Sequence, residues 1–351
     1  MKLLIGGSPC THWSIAQTKN RETEASGIGW ELFLNYRIAR DKYQPDFFLY
    51  ENNKSMVPAI KAQISKELGV EPVLINSTLV SAQNRQRLYW AGRRNPDGTY
   101  SQVAVEQPED MGILLRDILE SGVCWREKAY TLKANYFKSS VTNAMDGGHF
   151  PSPMAAEPII VNGMESGKAR TVDAHMGKLE SNLVPRINNP NPAKQQYDCI
   201  AVPVPEPVYE VRDGFITIKG KRYPIKLRDG FYIIRKLTVR ECMRLQTVPD
   251  TYAFPVSDTQ AYKMLGNGWT VDVIAHIMSH FTGLTEEPVE VLSMYDGMSC
   301  GHIALDKLGA EITAYYATEI DKYAIQTTQH NYPETVQLGD AFQVRDEEWS
   351  L

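Results

Sequence analysis

Leu3-Leu4-Ile5-Gly6-Gly7-Ser8-Pro9-Cys10 sets three large aliphatic side chains against two glycines, a proline and a cysteine. A short aliphatic run of this kind predicts a strand buried on both faces, as in a parallel sheet. The glycines let the chain turn sharply out of that strand, and Pro9 stiffens the approach to the cysteine. Cys10 therefore lands just past the carboxyl end of a strand, the edge where ligands of open α/β sheets collect. Taken alone, the cysteine fits a buried inert thiol as well as a nucleophile.

Working outward, the first hundred residues alternate strand and helix patterns. Trp30, Phe33, Leu34 and Ile38 share a helical face, and Phe47-Phe-Leu-Tyr50 is an apolar strand ending at Glu51-Asn52-Asn53. Residues 57–68 read as helical and 72–80 as extended, which predicts a parallel sheet wrapped by helices. From about 100 to 234 periodicity is poor, and prolines, glycines and asparagines are frequent. Residues 185–192 and 203–207 read as connections, whereas Phe215-Ile-Thr-Ile218 and Phe231-Tyr-Ile-Ile234 read as strands. This predicts a separate, smaller, loop-rich domain over 101–234, between catalytic portions at 1–100 and 235–351. Regular structure returns with Thr238-Val-Arg-Glu241, a capping-box pattern. A later helix carries Val271, Ile274, Ala275, Met278 and Phe281. Then come a strand at 289–295, a helix from His302, and strands at 312–317 and 335–338.

Five cysteines at 10, 124, 199, 242 and 300 are odd in number and lack metal-ligand spacing, so neither a disulfide framework nor a metal site is expected. The start is too short for a signal peptide, and no apolar run approaches the ~20 residues of a membrane span. A reducing cytoplasm fits best. A net charge of -5 does not favour nucleic acid. Residues 219–244 are nevertheless locally basic, with Lys219, Lys221, Arg222, Lys226, Arg228, Arg235, Lys236, Arg240 and Arg244 against Asp229 and Glu241. Such a stretch is either a solvated face or a phosphate-binding one. Gln83-Asn-Arg85-Gln-Arg87 places two arginines two apart, on one face if the segment is a strand.

Five stretches in order resemble successive motifs of cytosine-5 DNA methyltransferases. They are Gly-Gly-Ser-Pro-Cys10, Glu51-Asn52, Gln83-x-Arg85-x-Arg87, the long run from Arg235-x-Leu237-Thr238 through Arg244-Leu-Gln246 to Pro249-Asp250, and Leu265-Gly-Asn267. Residues 27–36 and 292–297 are closer to the animal de novo branch. In that family the cofactor motifs come first; here Tyr295-Asp-Gly297, Glu319-Ile320 and Asp340-Ala341 come last. The resemblance thus implies a circularly permuted chain. Its sheet would be doubly wound and Rossmann-like, of the S-adenosylmethionine-dependent methyltransferase type, with a smaller loop- and strand-rich target recognition domain. Termini tolerated at such a cut should lie within roughly 15 Å.

The resemblance also implies roles. Cys10 would attack carbon 6 of a flipped cytosine as a thiolate. Glu51, carrying or sharing a proton, would contact ring nitrogen 3 and the exocyclic amine. Arg85 would hold oxygen 2, and Arg87 would support the nucleophile loop or bind phosphate. S-adenosylmethionine, leaving as S-adenosylhomocysteine, would be held by Tyr295, Asp296, Gly297, Ser299, Gly301, Glu319, Ile320, Asp340 and Ala341. Asn267 and Trp269 would close that pocket. Residues 11–29 would form a loop closing over the base. Candidate DNA-binding residues are Lys19, Arg21, Lys133, Asn135, Tyr136, Lys138, Arg228, Arg235 and Arg244. The partner would be double-stranded DNA, with no membrane and no metal, in a monomer or alternatively a dimer of bacterial or phage origin. A transfer-RNA enzyme and a catalytically silent homologue are the competing readings. A nicotinamide-binding unit is disfavoured by the absence of G-x-G-x-x-G spacing.

Overall fold

A computed structural model of the chain describes residues 1–9, 12–13, 21–145, 152–159, 183–187, 199–203 and 207–351. Eight strands form the main sheet: β1 (Lys2–Gly6), β2 (Phe47–Asn53), β3 (Val73–Asn76), β4 (Gln86–Arg94), β5 (Tyr100–Gln102), β6 (Val289–Met294), β7 (Ile312–Thr318) and β8 (Val336–Gly339). Their order is β8-β7-β6-β1-β2-β4-β3, with β5 on β4. Neighbours from β8 to β2 pair parallel, while β4 runs antiparallel to both β2 and β3. Leu3, Leu4 and Ile5 are fully buried, as a central parallel strand requires.

Helix α1 (Gly27–Tyr43) packs Trp30, Phe33, Tyr36, Ala39 and Tyr43 into the core. Leu34 and Ile38, expected on the buried face, lie at its margin instead. The buried stripe is rotated toward tyrosines because Phe33 and Tyr36 meet the Tyr50 ring of β2, at 5.3 and 4.9 Å between centroids. Helix α2 (Pro58–Leu68) covers the same sheet through Ile60, Ile64 and Leu68. The extended segment expected over 72–80 stops at Asn76. There the side chain accepts from Thr78 N and opens a tight turn. Helices α3 (Val239–Leu245), α4 (Asp258–Asn267), α5 (Val271–Met278), α6 (Cys300–Leu308) and α7 (Lys322–Asn331) complete the layers. The predicted capping box opens α3: Thr238 accepts from Glu241 N, and Glu241 accepts from Thr238 N at 2.8 Å.

The chain divides into two compact units, Met1–Ile118 with Lys128–Lys138 and Thr238–Leu351, and Leu119–Glu127 with Ser139–Leu237. The boundaries differ from the predicted 101–234 because two pieces of that stretch are tied to the first unit. Lys128 Nζ donates to the carbonyls of Thr78, Ser81 and Ile113, and Leu132 N donates to Gln83 Oε1 at 2.6 Å. In the second unit a five-stranded antiparallel sheet runs Lys221–Pro224, Phe215–Ile218, Val208–Arg212, Gly230–Lys236, Met154–Ile159. Its inner face gathers Trp125, Met154, Val211, Ile216, Ile218, Tyr223, Tyr232 and Ile234. Pro185 and Pro203, expected in connections, lie in a ladder pairing Leu183–Ile187 with Cys199–Pro203. No helix among the described residues is long and apolar enough to cross a membrane.

Candidate active site

The parallel register fixes which polar residues share an edge. Gly6 pairs with both Tyr50 and Met294, Met294 with Thr318, and Thr318 with Gly339. The residues next in the chain, Gly7–Pro9, Glu51, Tyr295–Gly297, Glu319 and Asp340, therefore line one carboxyl edge of the sheet. Cys10 and Lys19 lie outside the described residues, as does most of the loop expected to close over a base.

Glu51 is the centre of one half of this edge. Its Oε1 pairs with Arg87 Nε at 3.0 Å, and its Oε2 accepts from the Trp269 indole N–H at 3.0 Å. Gly7 lies directly against it, since a Cβ built there would stand 2.9 Å from Glu51 Oε2 and 3.3 Å from Trp269 Nε1. The segment Gly7–Pro9 that leads to Cys10 is held from below. Asn52 Nδ2 donates to Ser8 O at 3.2 Å and to Tyr50 Oη at 3.1 Å, and the Ser8 and Tyr50 hydroxyls meet at 2.6 Å. Burial pushes the Tyr50 hydroxyl far above its ordinary range, so it stays neutral and serves only as a hydrogen-bonding brace.

The two arginines do not share a role. Arg85 is buried, and its guanidinium donates to the carbonyls of Leu132, Gly266 and Gly268 at 3.2, 3.3 and 2.8 Å. Three of its five N–H donors thus go to backbone carbonyls. The two-residue alternation fails here because Gln83–Asn84 pairs with Ala129–Tyr130, while pairing with β2 begins only at Arg87. Arg87 is the arginine at Glu51. Trp269, expected at the cofactor pocket, also reaches Glu51. Asn52 and Trp269 are the two contributors whose task sequence reasoning missed, although both sit inside motifs that it singled out.

The other half is built from backbone. Tyr295, Gly297 and Ser299 take left-handed φ values of 62°, 62° and 58°. Gly297 N donates to Glu319 Oε2 at 2.8 Å, while Glu319 Oε1 accepts from the amides of Ile320 and Asp321. A Cβ at Gly297 would meet nothing within 4 Å, and Ile320 is 73% exposed. An open glycine, a carboxylate and an exposed apolar side chain fit a nucleoside with a charged tail. Asp340 is also exposed, and its Oδ1 caps the next turn by accepting from Phe342 N.

Other expected cofactor residues are engaged within the protein. Ser299 is fully buried and donates to Asp296. Gly301 clears room for Ile5, whose Cδ1 would lie 2.1 Å from a Cβ there, and Ala341 packs in the core. Tyr295 Oη donates to Leu32 O, and Asp296 accepts from Tyr315 Oη at 2.8 Å. Burial raises the Asp296 carboxyl to about 6 and the Cys300 thiol to about 12, so Cys300 stays a neutral, poor nucleophile. Asn267 is exposed at the end of α4.

Several candidate DNA contacts also have partners within the protein. Tyr136 is 1% exposed and meets Tyr262 edge-on at 5.3 Å. Arg235 pairs with Glu157 and donates to Ser121 O, and Arg244 pairs with Asp250 and donates to Ile118 O. Arg21 donates to the carbonyls of Trp13 and Ser55. Asn135, Lys138 and Arg228 are exposed, and Lys133 is half-buried, with burial lowering its ammonium pKa. Among the described residues no group of His, Cys, Asp and Glu could hold a metal ion.

A family profile described as C-5 cytosine-specific DNA methylase matches residues 1–282. The chain is 27% identical over 293 residues to the Type II methyltransferase M.HpaII of Haemophilus parainfluenzae, covering 78% of this chain and 69% of that protein. It is 25% identical to the orphan methyltransferase M.SPRI of Bacillus phage SPR, covering 78% of this chain and 81% of that one. Among solved structures, a methyltransferase of Entamoeba histolytica aligns at a TM-score of 0.43 and 12% identity, covering 81% of this chain and 78% of that one.

Proposed function

Because this chain belongs to the C-5 cytosine-specific DNA methylase family and is a DNA cytosine-5 methyltransferase, we propose that Cys10 is its nucleophile and S-adenosylmethionine its methyl donor. The reading rests on one observation: the loop leading to Cys10 touches, at Gly7, the carboxylate of Glu51 on the carboxyl edge of the sheet. Carbon 5 of cytosine is a weak nucleophile. Addition of a thiolate to carbon 6 turns it into the carbon of an enamine. Within stacked duplex neither carbon can be reached, so the base is flipped out first, at a cost of a few kcal/mol.

Glu51 then faces ring nitrogen 3 and the exocyclic amine, sharing a proton with the ring as Cys10 adds. Arg87, rather than Arg85, supplies positive charge beside the base. Support for that exchange comes from the Arg87–Glu51 pair and from the carbonyls that occupy Arg85. S-adenosylmethionine supplies an electrophilic methyl group on a sulfonium. Gly297 leaves room for its backbone-hugging portion, Glu319 is the acceptor for ribose hydroxyls, Ile320 is the apolar surface for the base, and Asp340 is the acceptor for its amine. The second unit is the target recognition domain. The permuted order is supported by the family match, which stops at residue 282, before β6 with its cofactor loop.

Transfer of labelled methyl from S-adenosylmethionine to duplex DNA, with bisulfite sequencing of the product, tests this directly. Wild-type protein is expected to yield 5-methylcytosine, and Cys10→Ser to lose on the order of 10³-fold or more in rate. Full activity of Cys10→Ser, or a preference for transfer RNA over duplex, would overturn it.

A further inference from the structure

We propose that Trp269 is a positioning residue for Glu51, and that it leaves Oε2 as the oxygen that shares the proton with ring nitrogen 3. This deepens the proposed function and rests on the role given there to Glu51. The two carboxylate oxygens have unequal partners. Oε1 faces the permanent charge of Arg87 at 3.0 Å, whereas Oε2 receives only the neutral indole N–H of Trp269 at 3.0 Å. A guanidinium beside an oxygen opposes a proton on it, because the cation stabilises the anionic form. An indole N–H carries no net charge. It can bond one lone pair of a carboxyl oxygen whether or not that oxygen holds a proton. Oε1 is therefore the acceptor for the exocyclic amine. Oε2 hands its proton to nitrogen 3 as the sulfur–carbon 6 bond forms; after methyl transfer a base, for which water serves, removes the carbon-5 proton, the Cys10 thiolate is expelled, and Oε2 takes its proton back from nitrogen 3.

Trp269 is fixed well enough to do this. On one side Gly268 O accepts from Arg85 Nη2 at 2.8 Å, and Gly268 N donates to Met264 O at 2.7 Å. On the other, Thr270 Oγ1 donates to Gln246 Oε1 at 2.9 Å and meets Ser77 Oγ at 2.9 Å. Four residues, Arg85, Met264, Gln246 and Ser77, thus hold the chain on either side of the indole. This gives the buried Arg85 a purpose that its sequence motif alone did not reveal: it aims Trp269, and Trp269 aims Glu51. Gly7 leaves no slack, since any Cβ there would press on the same bond.

The test replaces Trp269 with β-(3-benzothienyl)alanine, which keeps the ring shape and exchanges the N–H for sulfur. Single-turnover methylation of duplex DNA is expected to slow roughly 10- to 100-fold, the worth of one hydrogen bond to a charged group. Affinity for S-adenosylhomocysteine should stay unchanged, and 5-fluorotryptophan, which retains the donor, should restore the rate. An unchanged rate would overturn the proposal, as would a loss confined to S-adenosylhomocysteine affinity, which marks a cofactor wall and nothing more. Glu51→Gln separates the layers. If it keeps the wild-type rate, the reading of Glu51 fails and takes this one with it. If it is inactive while the benzothienyl variant is not, only the role of Trp269 fails.

Discussion

The two halves of the sheet edge face the same solvent and hold their chemistry in different ways. At Glu51 the work is done by side chains bonded across long stretches of chain, the longest joining residues 218 apart. At Gly297 and Glu319 it is done by left-handed backbone and by amides meeting a carboxylate two or fewer residues from its own strand end. The contrast matches the different demands that the proposed roles place on each half. A carboxylate that handles protons needs each oxygen held to a fraction of an ångström, which takes convergent donors from several elements. A surface that receives a large, many-armed ligand needs room and exposed amides, which a glycine loop provides.

If side-chain convergence is what the first half depends on, crowding it should cost activity before stability. Gly7→Ala places a methyl 2.9 Å from Glu51 Oε2, 3.0 Å from Glu51 O and 3.3 Å from Trp269 Nε1. The carboxylate and indole can give way by side-chain movement, while the contact with the carbonyl is eased only by a small shift of backbone. Steady-state kinetics on duplex DNA should show kcat down on the order of 10²-fold, because displacement near 1 Å from reacting geometry costs about that much. KM for S-adenosylmethionine should hold. A variant with normal kcat would mean that the edge tolerates movement, and the contrast between the halves would blur.

Crowding the second half should show the opposite pattern. Gly301 opens α6 against β1, and a Cβ there would come 2.1 Å from Ile5 Cδ1. Overpacking of this kind costs about 1–3 kcal/mol, so Gly301→Ala should lower the urea midpoint. The obstructing atom is the far end of a flexible side chain. Adding Ile5→Val removes that atom and should recover most of the loss. Failure of the pair to recover would place the strain in the loop between β6 and α6 itself.

How much of this was legible in the sequence depends on the range of the interaction. Strand ends were readable because Leu3-Leu4-Ile5 and Phe47-Phe-Leu-Tyr50 each stop at polar residues, and the capping box at Thr238 is a local hydrogen-bond pattern. The assignment of Arg85 and Arg87 was not, since period-two reasoning assumes an unbroken strand and Gln83–Asn84 pairs elsewhere. Tyr136 looked like a polar loop residue, yet its ring is buried against Tyr262. Gly301 looked like a cofactor glycine; only the packing of α6 on Ile5 shows what it spares. Motif residues were recognisable as a set, while the partner of each was decided by tertiary contacts that spacing does not encode.

A smaller effect separates the halves by pH. Asp296 lies within the loop that follows β6, and burial lifts its carboxyl to about 6 even though Ser299 and Tyr315 donate hydrogen bonds to it. Because the folded value stands above the ordinary 3.8, the folded state binds the proton more tightly than the unfolded chain does. The stabilisation is complete below about pH 4 and is lost as pH rises through about 6. Asp296→Asn keeps a neutral group at every pH. Its amide can donate to Ser299 Oγ, which can then turn its own proton to Thr328 Oγ1, 2.9 Å away. Urea unfolding at pH 4 and pH 7.5 should therefore show wild type losing ground to the variant by on the order of 2 kcal/mol, the rise from 3.8 to about 6 being worth about 1.36 kcal/mol per pKa unit. A difference that stays constant across that range would mean the carboxylate is solvated in place. The cofactor half would then rest on charge as the Glu51 half does.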